Sequence, residues 1–173
     1  MRSVYVFCAD GFEEVEGLTA VDLLRRAGVS VTMVSIMGRT KITGARNISV
    51  NTDILIEDIK EEADMLVLPG GMPGTKYLGE YQPLCDLLRD FYGKSGKVAA
   101  ICAAPTVLAS LGFLEGRKAT AYPSCMEGLT GAEPSYESVV VDGNVTTSRG
   151  LGTAVDFALS LIGQLLGEEK ADE

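Results

Sequence analysis

KVAAICAAP, residues 97–105, is the stretch that decides the fold. Residues 97–101 form a nearly continuous apolar run, the pattern of a strand buried on both faces of a parallel sheet. Pro105 opens a second apolar segment through Leu111, and proline is tolerated in the first turn of a helix. A strand that runs directly into a helix leaves Cys102 at the junction. That is the geometry of a nucleophile elbow, where the side chain points out from the carboxyl edge of the sheet. The flanking alanines are small, as a tight turn packed among neighbours requires. Cys102 therefore reads in two ways: a nucleophile held as thiolate by the amino end of the following helix, or a structural thiol at the end of a core strand.

Outward from this junction the same alternation repeats. Residues 3–8, SVYVFC, form a β-rich run closed by Ala-Asp-Gly. Apolar residues recur at helical spacing over 13–27, with Gly28 as the stop. Residues 29–36 are a second strand, and 41–56 mix Gly, Asn and Thr with alternating Ile, Val and Leu, a small β excursion. MLVL at 65–68 is a third buried strand and enters Pro69-Gly70-Gly71 directly. A helix is expected over 81–92, a short strand over 118–122 and a hairpin over 137–147, turned at Asp142-Gly143-Asn144. The last helix spans 153–166, and GEEKADE beyond it is expected to be a solvated tail with no further helix. With no repeat or linker, residues 1–167 read as one domain and 168–173 as an acidic tail. Strands alternating with helices imply an α/β, doubly wound, mostly parallel sheet with helices on both faces.

Among 173 residues there is no histidine. Its absence removes Ser-His-Asp and Cys-His catalysis, histidine-based zinc sites and the usual neutral-pH proton shuttle. A net charge of −9 sets the chain against phosphate backbones and anionic membranes, both of which attract basic surfaces. The uncharged stretch 98–114 is interrupted by Pro105 and Gly112 and is too short to span a bilayer. The amino terminus lacks the pattern of a secretory signal. Cys8, Cys85, Cys102 and Cys125 contain no CxxC pair and are expected to be free thiols in a reducing cytoplasm.

Three features converge on the carboxyl ends of the strands: the acids after the first strand, the PGG turn, and Cys102. The N–H groups of Gly70 and Gly71 could face a developing oxyanion, or the pair could simply be a turn. Glu13 and Glu14 read as first-turn acids that complement a helix dipole. Glu16 reads either as an exposed carboxylate or as an inward one beside Cys102, where burial would raise its pKa and let it share a proton with the thiol.

Taken in order, GFEEVE (11–16), LPGG (68–71), AICAAP (100–105) and TSRGLGTA (147–154) resemble the ThiJ/PfpI family. Within it, the sequence is most similar to the branch of the Parkinsonism-associated deglycase. The resemblance implies a flavodoxin-like homodimer, a reactive and oxidisable Cys102 with Glu16 as its partner, and an oxyanion pocket made by the backbone of Gly70, Gly71 and Ala103. It implies cysteine-dependent, glyoxalase- or deglycase-type chemistry on methylglyoxal, small reactive carbonyls or glycated protein groups, without metal or organic cofactor. The alternative it implies is a non-catalytic redox sensor or stress chaperone. Many relatives carry a His-Pro step near the cysteine, where this chain has Tyr122-Pro123. A phenol is too weak an acid to serve as a base at neutral pH. Protease or amidotransferase chemistry, which needs an imidazole, is thereby disfavoured. Tyr122, Arg46 and Arg149 are candidates for the pocket or a dimer contact. Cys125 reads as buried filler, with a resolving thiol as the lesser alternative.

Overall fold

The apolar runs become strands whose alternate side chains enter two separate cores, one on each face of a single sheet. The computed structural model describes residues 1–173. In chain order the elements are β1 (Ser3–Cys8), α1 (Glu14–Arg26), β2 (Ser30–Ser35), β3 (Lys41–Thr43), β4 (Ser49–Asn51), β5 (Ile54–Leu55) and β6 (Met65–Leu68). They continue with α2 (Gly74–Glu80), α3 (Gln82–Gly93), β7 (Lys97–Ile101), α4 (Pro105–Ser110), β8 (Lys118–Ala119), β9 (Glu133–Pro134), β10 (Val139–Asp142), β11 (Val145–Ser148), α5 (Ala154–Leu166) and α6 (Glu168–Asp172).

Seven strands form the central sheet in the order β10-β11-β7-β6-β1-β2-β5. All neighbours are parallel except β10, which pairs antiparallel with β11 as the predicted hairpin. On one face Val4, Val6, Met65, Val67, Ala99 and Ile101 pack against Leu24 of α1 and Phe157, Leu161 and Ile162 of α5. On the other, Phe7, Leu66, Leu68, Val98 and Ala100 meet Leu78 of α2, Leu84 and Leu88 of α3, and Leu108 of α4. This is the flavodoxin-like α/β sandwich expected of the sequence. Gly28 follows the C-cap of α1 at φ +92°, so it ends the helix as anticipated.

The winding reverses between β1 and β6. From β1 the chain proceeds outward through β2 to β5, and from β6 it proceeds the other way through β7 to β11. At such a switch point the loops leaving adjacent strands diverge to opposite faces and open a crevice at the strands' carboxyl ends.

Three elements differ from expectation. Residues 74–80 form the helix α2, which two glycines in GTKYLGE hide from a propensity reading. The strand expected over 118–122 is only the two residues of β8, paired with β9 outside the main sheet. Thr120, beyond it, is tied to β11 by its N–H donating to the Thr147 hydroxyl at 3.0 Å. The expected tail is a further helix, α6, whose Ala171 packs against the α1–α5 core. No helix of the structure is long and apolar enough to cross a membrane.

Candidate active site

The loops after β1, β6 and β7 meet at the crevice. Cys102 follows β7 at φ +67°, a left-handed conformation that side-chain-bearing residues rarely adopt. Its backbone is fixed on both sides. Its N–H donates to the Ser148 carbonyl at 3.0 Å, and its carbonyl accepts the Tyr122 N–H at 2.8 Å. Strain held in this way at a strand-to-helix junction is the signature of an elbow.

Glu16 is buried, 1% exposed, although it belongs to the first turn of α1. Its Oε1 accepts the Gly70 N–H at 3.1 Å. Its Oε2 makes no directed hydrogen bond, and its carboxyl faces the Cys102 thiol closely enough for each group to perturb the other's protonation. Burial is the main cause that pushes Glu16 up to about 7, against the opposing pull of the thiol and of the Gly70 N–H. Cys102 is pushed up to about 12, by burial first and then by the Glu16 charge. The thiolate expected from the helix end is therefore not the resting form. The Ala103 N–H pulls the thiol down, but α4 is only six residues long and burial outweighs it.

Gly70 is where the pieces touch. A Cβ there would lie 2.6 Å from both the Cys102 Cβ and Glu16 Oε1, so no side chain fits. Because the Gly70 N–H is spent on Glu16, Gly70 serves as the carboxylate's anchor and not as an oxyanion donor, a correction to the expected role. Gly71, at φ +93°, lines the crevice, as does Ala103. The Gly71 N–H engages no backbone acceptor, whereas the Ala103 N–H is directed at the Cys102 sulfur.

The three acids of the first turn have distinct tasks. Glu13 caps α1 by accepting the Glu16 N–H at 2.9 Å, and it also lines the crevice. Glu14 is not an exposed dipole partner. It is 4% exposed, and its carboxylate accepts the N–H groups of Arg46, at 2.9 and 3.1 Å, and of Ile48, at 3.2 Å. That grip fixes the 44–48 loop, so Ala45 and Arg46 form a rim of the crevice.

The crevice has a volume of about 340 Å³. Tyr122, 48% exposed, contributes a wall together with Met72, Ser124, Cys125 and Leu151. Arg149 is not among the lining residues. Its guanidinium reaches the Tyr136 carbonyl at 3.5 Å instead. Cys125 is half-buried: it packs against the core, as the filler reading expected, and also lines this wall. Sequence reading missed Glu13, Met72, Ser124 and Leu151. Glu13, within GFEEVE, and Leu151, within TSRGLGTA, carried a signal, and that of Glu13 was absorbed by the dipole explanation. Two larger grooves, of about 490 and 450 Å³, meet at Tyr81, but their walls carry no nucleophile. No three Cys, Asp or Glu side chains converge as a metal site would require.

A strained cysteine elbow facing a buried carboxyl at the switch point of a flavodoxin-like sheet defines a cysteine-elbow α/β protein. Comparison narrows the class, because the model of the DJ-1/PfpI family matches residues 2–164. The chain belongs to that family. It is 42% identical to protein dj-1beta of Drosophila melanogaster, over 99% of this chain and 94% of that one. It is 32% identical to the glutathione-independent glyoxalase DJR-1.2 of Caenorhabditis elegans, over 92% of this chain and 86% of that one. Among solved structures, oxidized Toxoplasma gondii DJ-1 superposes with a TM-score of 0.96 at 34% identity, covering 99% of this chain and 95% of that one.

Proposed function

We propose that this protein converts methylglyoxal and related small dicarbonyls, free or as protein adducts, to hydroxy acids through Cys102, without glutathione. The observation that carries the reading is the Cys102 thiol facing a buried Glu16 that is poised near neutrality. The glyoxalase among its relatives supports the substrate class.

Ionised Glu16 takes the proton of Cys102 as the sulfur attacks the aldehyde carbon, and a hemithioacetal forms. The Glu16 charge is part of what holds the thiol up, so that part of the barrier vanishes once the proton has crossed. The Gly71 N–H is the free donor for the developing oxyanion, and the Ala103 N–H steadies the sulfur as it gives up its proton. The hemithioacetal then loses its C1 proton and gains one at C2, with Glu16 as the shuttle. The aldehyde carbon is thereby oxidised to a thioester and the ketone reduced to an alcohol. Water hydrolyses the thioester, releases lactate and restores the thiol. Incubation of the protein with methylglyoxal, free of any added thiol, is expected to yield one lactate per methylglyoxal consumed. Loss of methylglyoxal without lactate would reduce the site to a scavenger and overturn the reading.

A second reading rests on Glu16 Oε2, which is buried and unpartnered. Protonated there, Glu16 can donate to an oxygen added to Cys102 and hold a sulfinate, as a redox sensor requires. The oxidized relative supports this reading.

The same face supports a homodimer. Val15, Ile48, Leu151 and Val155 are apolar yet roughly half exposed. All four sit close to the crevice: Val15 beside Glu14 and Glu16, Ile48 on the loop that Glu14 grips, Leu151 on the crevice wall, and Val155 at the start of α5. Exposed apolar surface of this kind marks an association site. Sedimentation is expected to give the mass of two 18.3 kDa chains, and Val155→Glu the mass of one. A wild-type monomer would reject the dimer.

A further inference from the structure

The four thiols fall into two pairs. Cys8 is fully buried, with its sulfur 3.7 Å from the Val6 carbonyl. Cys85 is buried on α3, its thiol directed at the Gly79 carbonyl at 3.5 Å. Cys102 and Cys125 are the two half-buried cysteines, and both line the same crevice.

Their backbones are linked by two short steps. The Cys102 carbonyl accepts the Tyr122 N–H at 2.8 Å, and the Tyr122 carbonyl accepts the Cys125 N–H at 2.7 Å. Cys125 therefore stands one turn beyond the residue that clasps the elbow. The Pro123–Gly128 turn that carries it has no side-chain cap and no fully buried residue. Cys125 and Met126 pack partly against the core that includes α3 and α4, while Pro123, Ser124, Glu127 and Gly128 are exposed, so a movement of this turn toward the elbow disturbs few buried contacts. Cys125 is also close enough to act electrostatically on the Cys102 thiol, raising it.

We propose that Cys102 and Cys125 form a dithiol couple that reduces hydroperoxides, with Cys125 as the resolving thiol. The proposal rests on Cys102 being the reactive thiol of the reading above. In the first step the Cys102 sulfur attacks a peroxide oxygen and the O–O bond breaks. The thiol proton, passed through Glu16, leaves with the departing oxygen as water or alcohol, and Cys102 becomes a sulfenic acid. In the second step the Cys125 sulfur attacks that sulfur, the S–OH bond breaks and water leaves with the Cys125 proton. Two thiols have then lost two electrons and two protons to one hydroperoxide. An external dithiol reverses the disulfide and closes the cycle. Interception by Cys125 would also keep Cys102 from the higher, irreversible oxidation states.

The test treats the reduced protein with two equivalents of hydrogen peroxide, the amount a sulfinate requires, blocks the remaining thiols and maps the peptides by mass spectrometry. The expected product is a Cys102–Cys125 linked peptide, lighter by two hydrogens, which dithiothreitol reopens. With dithiothreitol present, the wild type is expected to consume peroxide repeatedly. Cys125→Ser and Cys125→Ala are expected to lose the linked peptide entirely, carry two added oxygens on Cys102 and stop after two peroxides per chain, with unchanged thermal melting. A wild type that gains the two oxygens without the link overturns the role of Cys125 and leaves the reactive thiol standing. A Cys102 that peroxide does not touch overturns both. A link to Cys8, Cys85 or a second chain overturns the proposed pairing.

Discussion

Cys102→Ser is expected to lower the rate of lactate formation from methylglyoxal on the order of 10³-fold, while the protein keeps its melting temperature within a few degrees. Serine preserves the Cβ and the backbone that Ser148 and Tyr122 hold, so the fold is not at stake. It replaces a polarisable sulfur by a hydroxyl whose proton a carboxylate near neutrality cannot take. Cys102→Gly separates chemistry from strain in the same measurement. Glycine adopts φ +67° without the crowding that a Cβ brings. The glycine variant is therefore expected to be as inactive as the serine variant and more stable by about 1 kcal/mol. Equal lactate rates in wild type and Cys102→Ser would place the chemistry elsewhere in the molecule.

Glu16→Gln is expected to cost about 10²- to 10⁴-fold in rate, the range for a removed acid–base group. It also changes the pH dependence. The reactive form in the wild type is ionised Glu16, which accumulates above about 7. Activity should therefore climb between pH 6 and 8, and that climb should be absent in the glutamine variant. Stability moves in the opposite direction. A carboxyl raised by folding from 4.5 to about 7 contributes stability that is complete below 4.5 and is lost as the pH rises through 7. The displacement corresponds to about 3 kcal/mol. Thermal melting should show Glu16→Gln gaining on the wild type from pH 5 to pH 8. A wild type with flat stability and flat activity over that interval would mean that Glu16 does not titrate there.

The architecture was legible because buried parallel strands must be nearly all apolar. MLVL and KVAAI took the bounds read from sequence, and the order of elements fixed the handed winding that creates the switch point. Cys102 and Glu16 were legible through position and through family motifs, but their contact was not. Only the tertiary fold brings the first turn of α1 beneath Gly70. The helix α2 was hidden by Gly74 and Gly79, which local propensity disfavours and packing tolerates. Glu14 was misread for a related reason. A first-turn acid looks the same in sequence whether it faces water or grips a loop 32 residues away. Cys125, three residues past Tyr122, read as a resolving thiol only as the lesser alternative, because a short turn with no periodic pattern gives its side chain no direction.

The grip of Glu14 on the N–H groups of Arg46 and Ile48 makes the 44–48 loop and the first turn of α1 a single mechanical unit. Two residues further along that unit stands Glu16, the proposed proton acceptor. Pressure applied to Ile48 or Val15 from outside is transmitted to the carboxyl by rigid backbone, without passing through the substrate's space. In a chain that pairs through this face, dilution would reset the catalytic alignment along with the mass. Concentration would then join pH as a control on how fast the protein works.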